Sequence, residues 1–140
     1  MRENGSPGAP RAEATLTVPP DSRYLSVLRT AAAGLAAHLA FTLDDIEDLR
    51  IAVDEACALL LEQASPNARL RCEFGLTEQA LRVRASAACD QPAIPSREGF
   101  SWTVLSALTS ALDMEVEDDE LIITFTRARG GRGQAPDSAD

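Results

Sequence analysis

Glu55 is a carboxylate on a strong helix, a type of residue that can take a proton from a substrate. It lies in the run Asp48-Leu49-Arg50-Ile51-Ala52-Val53-Asp54-Glu55-Ala56-Cys57-Ala58-Leu59. A glutamate fixed on a helix can act as a general base toward a hydroxyl. It can equally be a solvated side chain, because glutamate is a good helix former, and on helical position alone the solvated reading is the default. Other reactive groups are few. His38 is the single histidine and sits among alanines, so a Ser-His-Asp or Cys-His arrangement has one possible base, and a structural or surface role is the simpler reading. All 13 cationic residues are arginine, which rules out a phosphate-loop lysine, a Schiff base and a lysine general base. Cys57, Cys72 and Cys89 show no metal-ligand spacing.

The element that must carry Glu55 is a helix opening at Thr42-Leu43-Asp44-Asp45, a capping-box-like start with acids in the first turn. Ile46, Leu49, Val53, Ala56 or Cys57, Leu60 and Ala64 form its apolar stripe. Glu55 shares a different face with Ala52, Leu59 and Glu62, which is expected to point away from the main buried contact. The helix should break at Ser65-Pro66-Asn67. Seven acids against Arg50 between residues 42 and 64 suggest a metal or a basic partner, with a solvated face as the default.

Around this helix the pattern predicts strand, helix, helix, two strands, helix, two strands. Glu13 to Val18 alternates and stops at Pro19-Pro20. A helix capped by Asp21 or Ser22 carries Leu25, Leu28, Ala32, Leu35 and Leu39 to about Ala40, with Arg29 beside the stripe. Leu70, Cys72 and Phe74 pair with Leu81, Val83 and Ala85 as a hairpin, its outer face rich in arginine. That face is a solvated sheet surface or a docking site for acidic partners. Residues 87–98 read as a loop. Phe100 to Leu112 reads as a helix with Trp102, Leu105, Leu108 and Leu112 on one side, and a last hairpin turns at Asp118-Asp119. The fold class is α+β, a two-layer sandwich whose mostly antiparallel sheet is covered by helices on one face. Residues 12–128 form the domain. Residues 1–11 and 129–140, rich in Gly, Pro, Ser and Asp, read as disordered tails.

A net charge of −9 argues against nucleic-acid binding, which needs clustered cations, and leaves basic protein partners open. Without a signal-peptide pattern or a membrane-length apolar span, and with thiols expected in the core, a soluble cytoplasmic protein off the membrane is expected.

The segment Ile46-Glu47-Asp48-Leu49-Arg50-Ile51-Ala52-Val53-Asp54-Glu55-Ala56-Cys57 closely resembles the N-box helix of the anti-sigma factor/serine kinases of the RsbW and SpoIIAB type, within the GHKL ATPase fold. The resemblance covers roughly residues 12–128. It implies a Bergerat-type sandwich that binds a sigma factor, is released by an anti-anti-sigma partner of the STAS type, and forms a homodimer. By the same resemblance Glu55 matches the general base. Leu59 stands where the family has a Mg²⁺-ligating asparagine, and leucine offers no oxygen to a hard cation. The adenine-reading Asp-x-Gly aligns with Ser86-Ala87-Ala88, and the last Gly-x-Gly with Gly99-Phe100-Ser101. Arg29 matches an arginine of the surface shared by sigma factor and anti-anti-sigma protein. These departures imply weak or lost nucleotide binding and a vestigial Glu55, so no cofactor is expected. The rival is a working ATP-dependent Ser/Thr kinase of a STAS protein, using Mg-ATP, with Asp90 or Asp54 compensating for Leu59 and Ser86.

Overall fold

The computed structural model describes residues 12–130. The tails read from composition lie outside the described residues, except for Arg129 and Gly130. Both are tied to the domain, Arg129 N–H donating to the Gln79 carbonyl at 2.7 Å and Gly130 N–H to the Asp45 carboxylate at 3.2 Å.

Five strands form one antiparallel sheet: β1 (Ala12–Val18), β2 (Leu70–Leu76), β3 (Ala80–Ala88), β4 (Ala111–Glu117) and β5 (Glu120–Ala128). Their order across the sheet is β1-β2-β3-β5-β4. Register explains which side is dry. Cys72, Ala85, Ile123 and Met114 lie in one row across the sheet and are buried in the core. The row beside it, Arg71, Ser86, Ile122 and Glu115, points to the other face. There Glu73 accepts ion pairs from Arg71 at 2.8 Å and Arg84 at 3.7 Å, so the arginine-rich face is partly neutralised within the sheet. The β4–β5 hairpin turns where predicted. Asp118 and Asp119 both have positive φ, 54° and 63°, the backbone a two-residue primed turn demands.

The helices are α1 (Leu25–Ala36), α2 (Leu43–Gln63) and α3 (Phe100–Leu108). The first predicted helix is shorter than its apolar pattern. Asp21 caps a 3-10 turn over Ser22–Tyr24, and after Ala36 the chain tightens into a second 3-10 turn over Ala37–Leu39, ended by Ala40 at φ 57°. Such turns satisfy terminal carbonyls that a continuing helix would otherwise bond. In α2 the capping box is complete: Asp45 N–H donates to Thr42 Oγ1 and Thr42 N–H to Asp45 Oδ2, each at 3.0 Å. The third helix stops at Leu108, not Leu112. Thr109 turns extended, its hydroxyl donates to the Leu105 carbonyl at 2.7 Å, and Ser110 N–H joins the sheet through Thr126. Leu112 therefore belongs to β4.

One correction bears directly on the site. The α2 face carrying Ala52, Glu55, Leu59 and Glu62 does not point away from buried contacts, because α1 and α3 both pack against α2. Ala52 is fully buried and Leu59 is 7% exposed. Leu28, Leu49, Leu60, Phe74 and Phe125 complete the core between the layers, each large side chain contributing about 1.5–3 kcal/mol on burial.

Candidate functional site

Glu55 is half-buried in the middle of α2, facing the start of α3. Ser101, the second residue of α3, donates its hydroxyl to Glu55 Oε2 at 2.7 Å. A charge-assisted bond this short occupies one of the carboxylate's lone-pair sites. Packing brings together the residues of two motifs 46 positions apart.

Below this pair, α2 and the segment before α3 enclose a groove of about 320 Å³, lined by Leu59, Glu62, Pro95, Gly99, Phe100 and Trp102, with Ser101 at its end. Of the sequence-derived positions, Leu59, Gly99 and Ser101 meet here beside Glu55. Ser86 and Ala88 do not. They lie on the parity of β3 that faces away from the helices, Ser86 covered at 3% exposure and Ala88 exposed at the strand end. The residues of that strand end that face the helices are Ala87 and Cys89, both buried. Gly99 has extended backbone (φ −81°, ψ 164°), and a β-carbon there would stand 3.4 Å from the Ser96 carbonyl, an ordinary contact. Nothing in its conformation requires glycine.

The oxygen and nitrogen groups around the groove are largely engaged with one another. Gln63 clamps Ala93 of the loop from both sides, Nε2 donating to its carbonyl at 2.8 Å and Oε1 accepting from its N–H at 2.9 Å. Ser96 Oγ accepts from Glu98 N–H at 3.0 Å. Ser65 Oγ donates to Asp90 Oδ1 at 2.8 Å, and Asp54 pairs with Arg29, so both proposed substitute acids have partners. Leu59 contributes only carbon where the resemblance places a metal ligand. Mg²⁺ takes near-octahedral oxygen ligation, and among the described residues no cluster of three or more His, Cys, Asp or Glu side chains could hold a metal ion. At position 59, therefore, the side chain offers Mg²⁺ no oxygen ligand.

Arg29 is not a free helical arginine. Its Nη1 lies 2.7 Å from Asp54 Oδ1, bridging α1 to α2 with the two side chains 29% and 41% exposed. His38 is exposed on the 3-10 turn after α1 and does not line the groove. Cys57, Cys72 and Cys89 are all buried as free thiols. Neighbouring Cys72 and burial together push the Cys57 thiol well above its ordinary value. Cys89, read as a loop residue, is inside, its Sγ donating to the Ala87 carbonyl.

Sequence reasoning missed the charged cluster at the other end of α2. Arg127, 2% exposed, donates from Nη2 to Asp45 Oδ1 at 2.6 Å and from Nη1 to the Leu108 carbonyl at 2.9 Å, with Asp48 Oδ2 at 3.3 Å. The two carboxylates sit in the first turns of α2, where the helix dipole favours negative charge. Burial raises the Asp45 carboxyl, but Arg127 and the N–H groups of Thr42 and Gly130 outweigh it and hold the group below its ordinary value. The signal was in the sequence. Leu121, Ile123 and Phe125 set the core parity of β5, and Arg127 continues it.

No helix among the described residues is long and apolar enough to cross a membrane. No family model matches the chain. Over 84 residues, 60% of the chain and 50% of the relative, it is 39% identical to the protein named anti-sigma-F factor RsbW of Mycobacterium tuberculosis (strain ATCC 25618 / H37Rv). It is 35% identical over 71 residues (49% of the chain, 44% of the relative) to the serine-protein kinase RsbW of Bacillus subtilis (strain 168), and 33% identical over 73 residues (51% and 46%) to that of Bacillus cereus (strain B4264). The matched stretch thus spans about half the length of these curated relatives. Over that stretch the chain is similar to proteins named RsbW, an anti-sigma factor in one case and serine-protein kinases in the others.

Proposed function

We propose that this protein is an anti-sigma factor that sequesters an alternative sigma factor by protein contact, is released by an anti-anti-sigma partner of the STAS type, and binds nucleotide weakly or not at all. The observation that carries the reading is the carbon side chain of Leu59 beside Glu55. Leu59 is buried and supplies no metal ligand, one turn from a carboxylate that accepts the Ser101 hydroxyl at 2.7 Å. A kinase of this type needs an oxygen donor for the cation beside its carboxylate base. Losing one charge-assisted hydrogen bond costs about 1.5–3 kcal/mol, and micromolar binding corresponds to about 8 kcal/mol in total, so the combined losses remove most of a nucleotide's affinity. Sigma capture needs none of those groups. The acidic surface, net −9, suits basic sigma-factor segments. The name of the Mycobacterium tuberculosis relative supports the anti-sigma assignment, and a Bergerat-type fold, a homodimer and a cytoplasmic site of action belong to the same reading.

The test is co-purification of a sigma factor from the native organism with and without Mg-ATP, beside calorimetric titration of the protein with Mg-ATP and Mg-ADP. The expected result is a sigma factor retained in both preparations and no heat up to millimolar nucleotide. Micromolar nucleotide binding reverses the reading. The second reading, an ATP-dependent Ser/Thr kinase of a STAS protein, is favoured by the name serine-protein kinase on the Bacillus relatives. Phosphate transfer that vanishes in Glu55→Ala establishes it.

A further inference from the structure

We infer that the groove between α2 and the segment leading into α3 receives a basic segment of a protein partner, with an arginine or lysine pairing with Glu62 and an adjacent apolar side chain resting on Phe100. The inference deepens the anti-sigma reading and rests on its claim that nucleotide does not hold this groove.

Three observations fix the occupant's chemistry. First, the lining carries one charge. Glu62 is exposed and makes no ion pair among the described residues, and none of the lining residues is cationic. The charge most easily accepted there is positive. Second, the apolar part of the wall is open to solvent. Phe100 is 77% exposed at the mouth, although it begins a helix whose Leu105 is fully buried. An exposed aromatic ring beside a hollow is the arrangement found at protein contact sites. Third, the same wall already binds a guanidinium of its own chain. Arg97 sits over the Trp102 ring, 4.7 Å from its centroid, so the aromatic surface here supports cations.

Geometry favours a polypeptide over a small cation. Glu55 and Glu62 are seven residues apart on one helix, about 10 Å along its axis, and Leu59 lies between them. Glu55 is turned toward Ser101, and Gln63 holds Ala93 through both its amide atoms. Glu62 and the exposed ring of Phe100 therefore remain as the free features. An isolated ammonium would leave that ring wet. A chain with alternating basic and apolar side chains covers both at once.

Trp102 is the chain's one tryptophan and lines the groove, so its emission reports occupancy. The full chain is titrated with the peptide acetyl-Leu-Arg-Leu-Arg-Leu-amide, with acetyl-Leu-Glu-Leu-Glu-Leu-amide as control, and then with Mg-ATP. Expected are a saturable emission change with the basic peptide alone, weakening with salt, an affinity about fivefold lower in Glu62→Gln, and no such loss in Glu47→Gln, an exposed α2 acid outside the groove. Silence with both peptides in folded protein, an equal response to both, or an undiminished affinity in Glu62→Gln overturns the inference. If ATP is silent as well, the inference fails alone and the nucleotide-free reading stands. Displacement of the basic peptide by micromolar ATP overturns both.

Discussion

Ser101 Oγ and Glu55 Oε2 stand 2.7 Å apart, joining the first turn of α3 to the centre of α2. The bond makes the would-be base part of the scaffold. Ser101→Ala leaves a half-buried carboxylate without its donor and is expected to cost about 1–2 kcal/mol, read as a lower urea midpoint with unchanged slope. Ser101→Thr keeps the hydroxyl and should recover most of that loss. An unaltered midpoint in Ser101→Ala shows that the contact adds nothing to stability.

The buried cluster at the start of α2 predicts a larger effect. Removing Arg127 takes the buried cation away from Asp45 and Asp48, and Arg127→Met is expected to lose about 3–5 kcal/mol. The pH dependence follows from the sign of the Asp45 shift. Its folded value lies below the ordinary one, so its contribution is complete above the unfolded value, about 3.9, and disappears as pH falls through the lower folded value. Asp45→Asn should therefore be less stable than the parent at neutral pH, with the gap closing below about pH 4. Parallel denaturation curves from pH 7 to pH 3 measure it, and a gap that stays constant rejects this role for the carboxylate.

The sequence displayed the scaffold better than the site. Period-two alternation placed β2, β3 and β5, because one parity of each strand fills the core while most residues of the other do not. The Thr42–Asp45 capping box marked the start of α2, since cap chemistry is local. Leu112 was misplaced because apolar spacing alone cannot tell the end of a short helix from the start of the next strand. The partner of Glu55 was invisible for a different reason. Which side of α2 is flanked by α3 is a tertiary fact, and it decides that Ala52 and Leu59 are buried and that Ser101 meets the glutamate. Ser86 was matched by motif, but strand parity turns it to the far face, and parity depends on the register with β5.

Leu59→Asn restores the amide that the resemblance places on Mg²⁺, and it tests whether that one change reopens the groove. It should not. Leu59 is 7% exposed, so exchanging it for an amide is expected to cost about 2–4 kcal/mol in lost packing and desolvation. Ser86 and Ala88 remain on the opposite side of the sheet, and Ser101 remains on Glu55. Calorimetry of the folded variant with Mg-ATP is expected to show no heat at millimolar nucleotide, whereas micromolar binding shows that Leu59 was the single obstacle.

Arg29 and Asp54 allow partner contact to be separated from scaffold contact. Their pair is short, 2.7 Å, but both side chains are partly exposed, so breaking it should cost under about 1 kcal/mol. Arg29→Glu sets two carboxylates against each other and is expected to abolish capture of the co-purifying sigma factor while leaving the circular-dichroism spectrum unchanged. The exchanged double variant Arg29→Asp with Asp54→Arg restores an ion pair between α1 and α2 but moves the cation to the other helix. If the arginine touches the partner, the double variant stays inactive although its stability recovers. Sigma binding regained together with stability shows instead that Arg29 acts by holding α1 against α2.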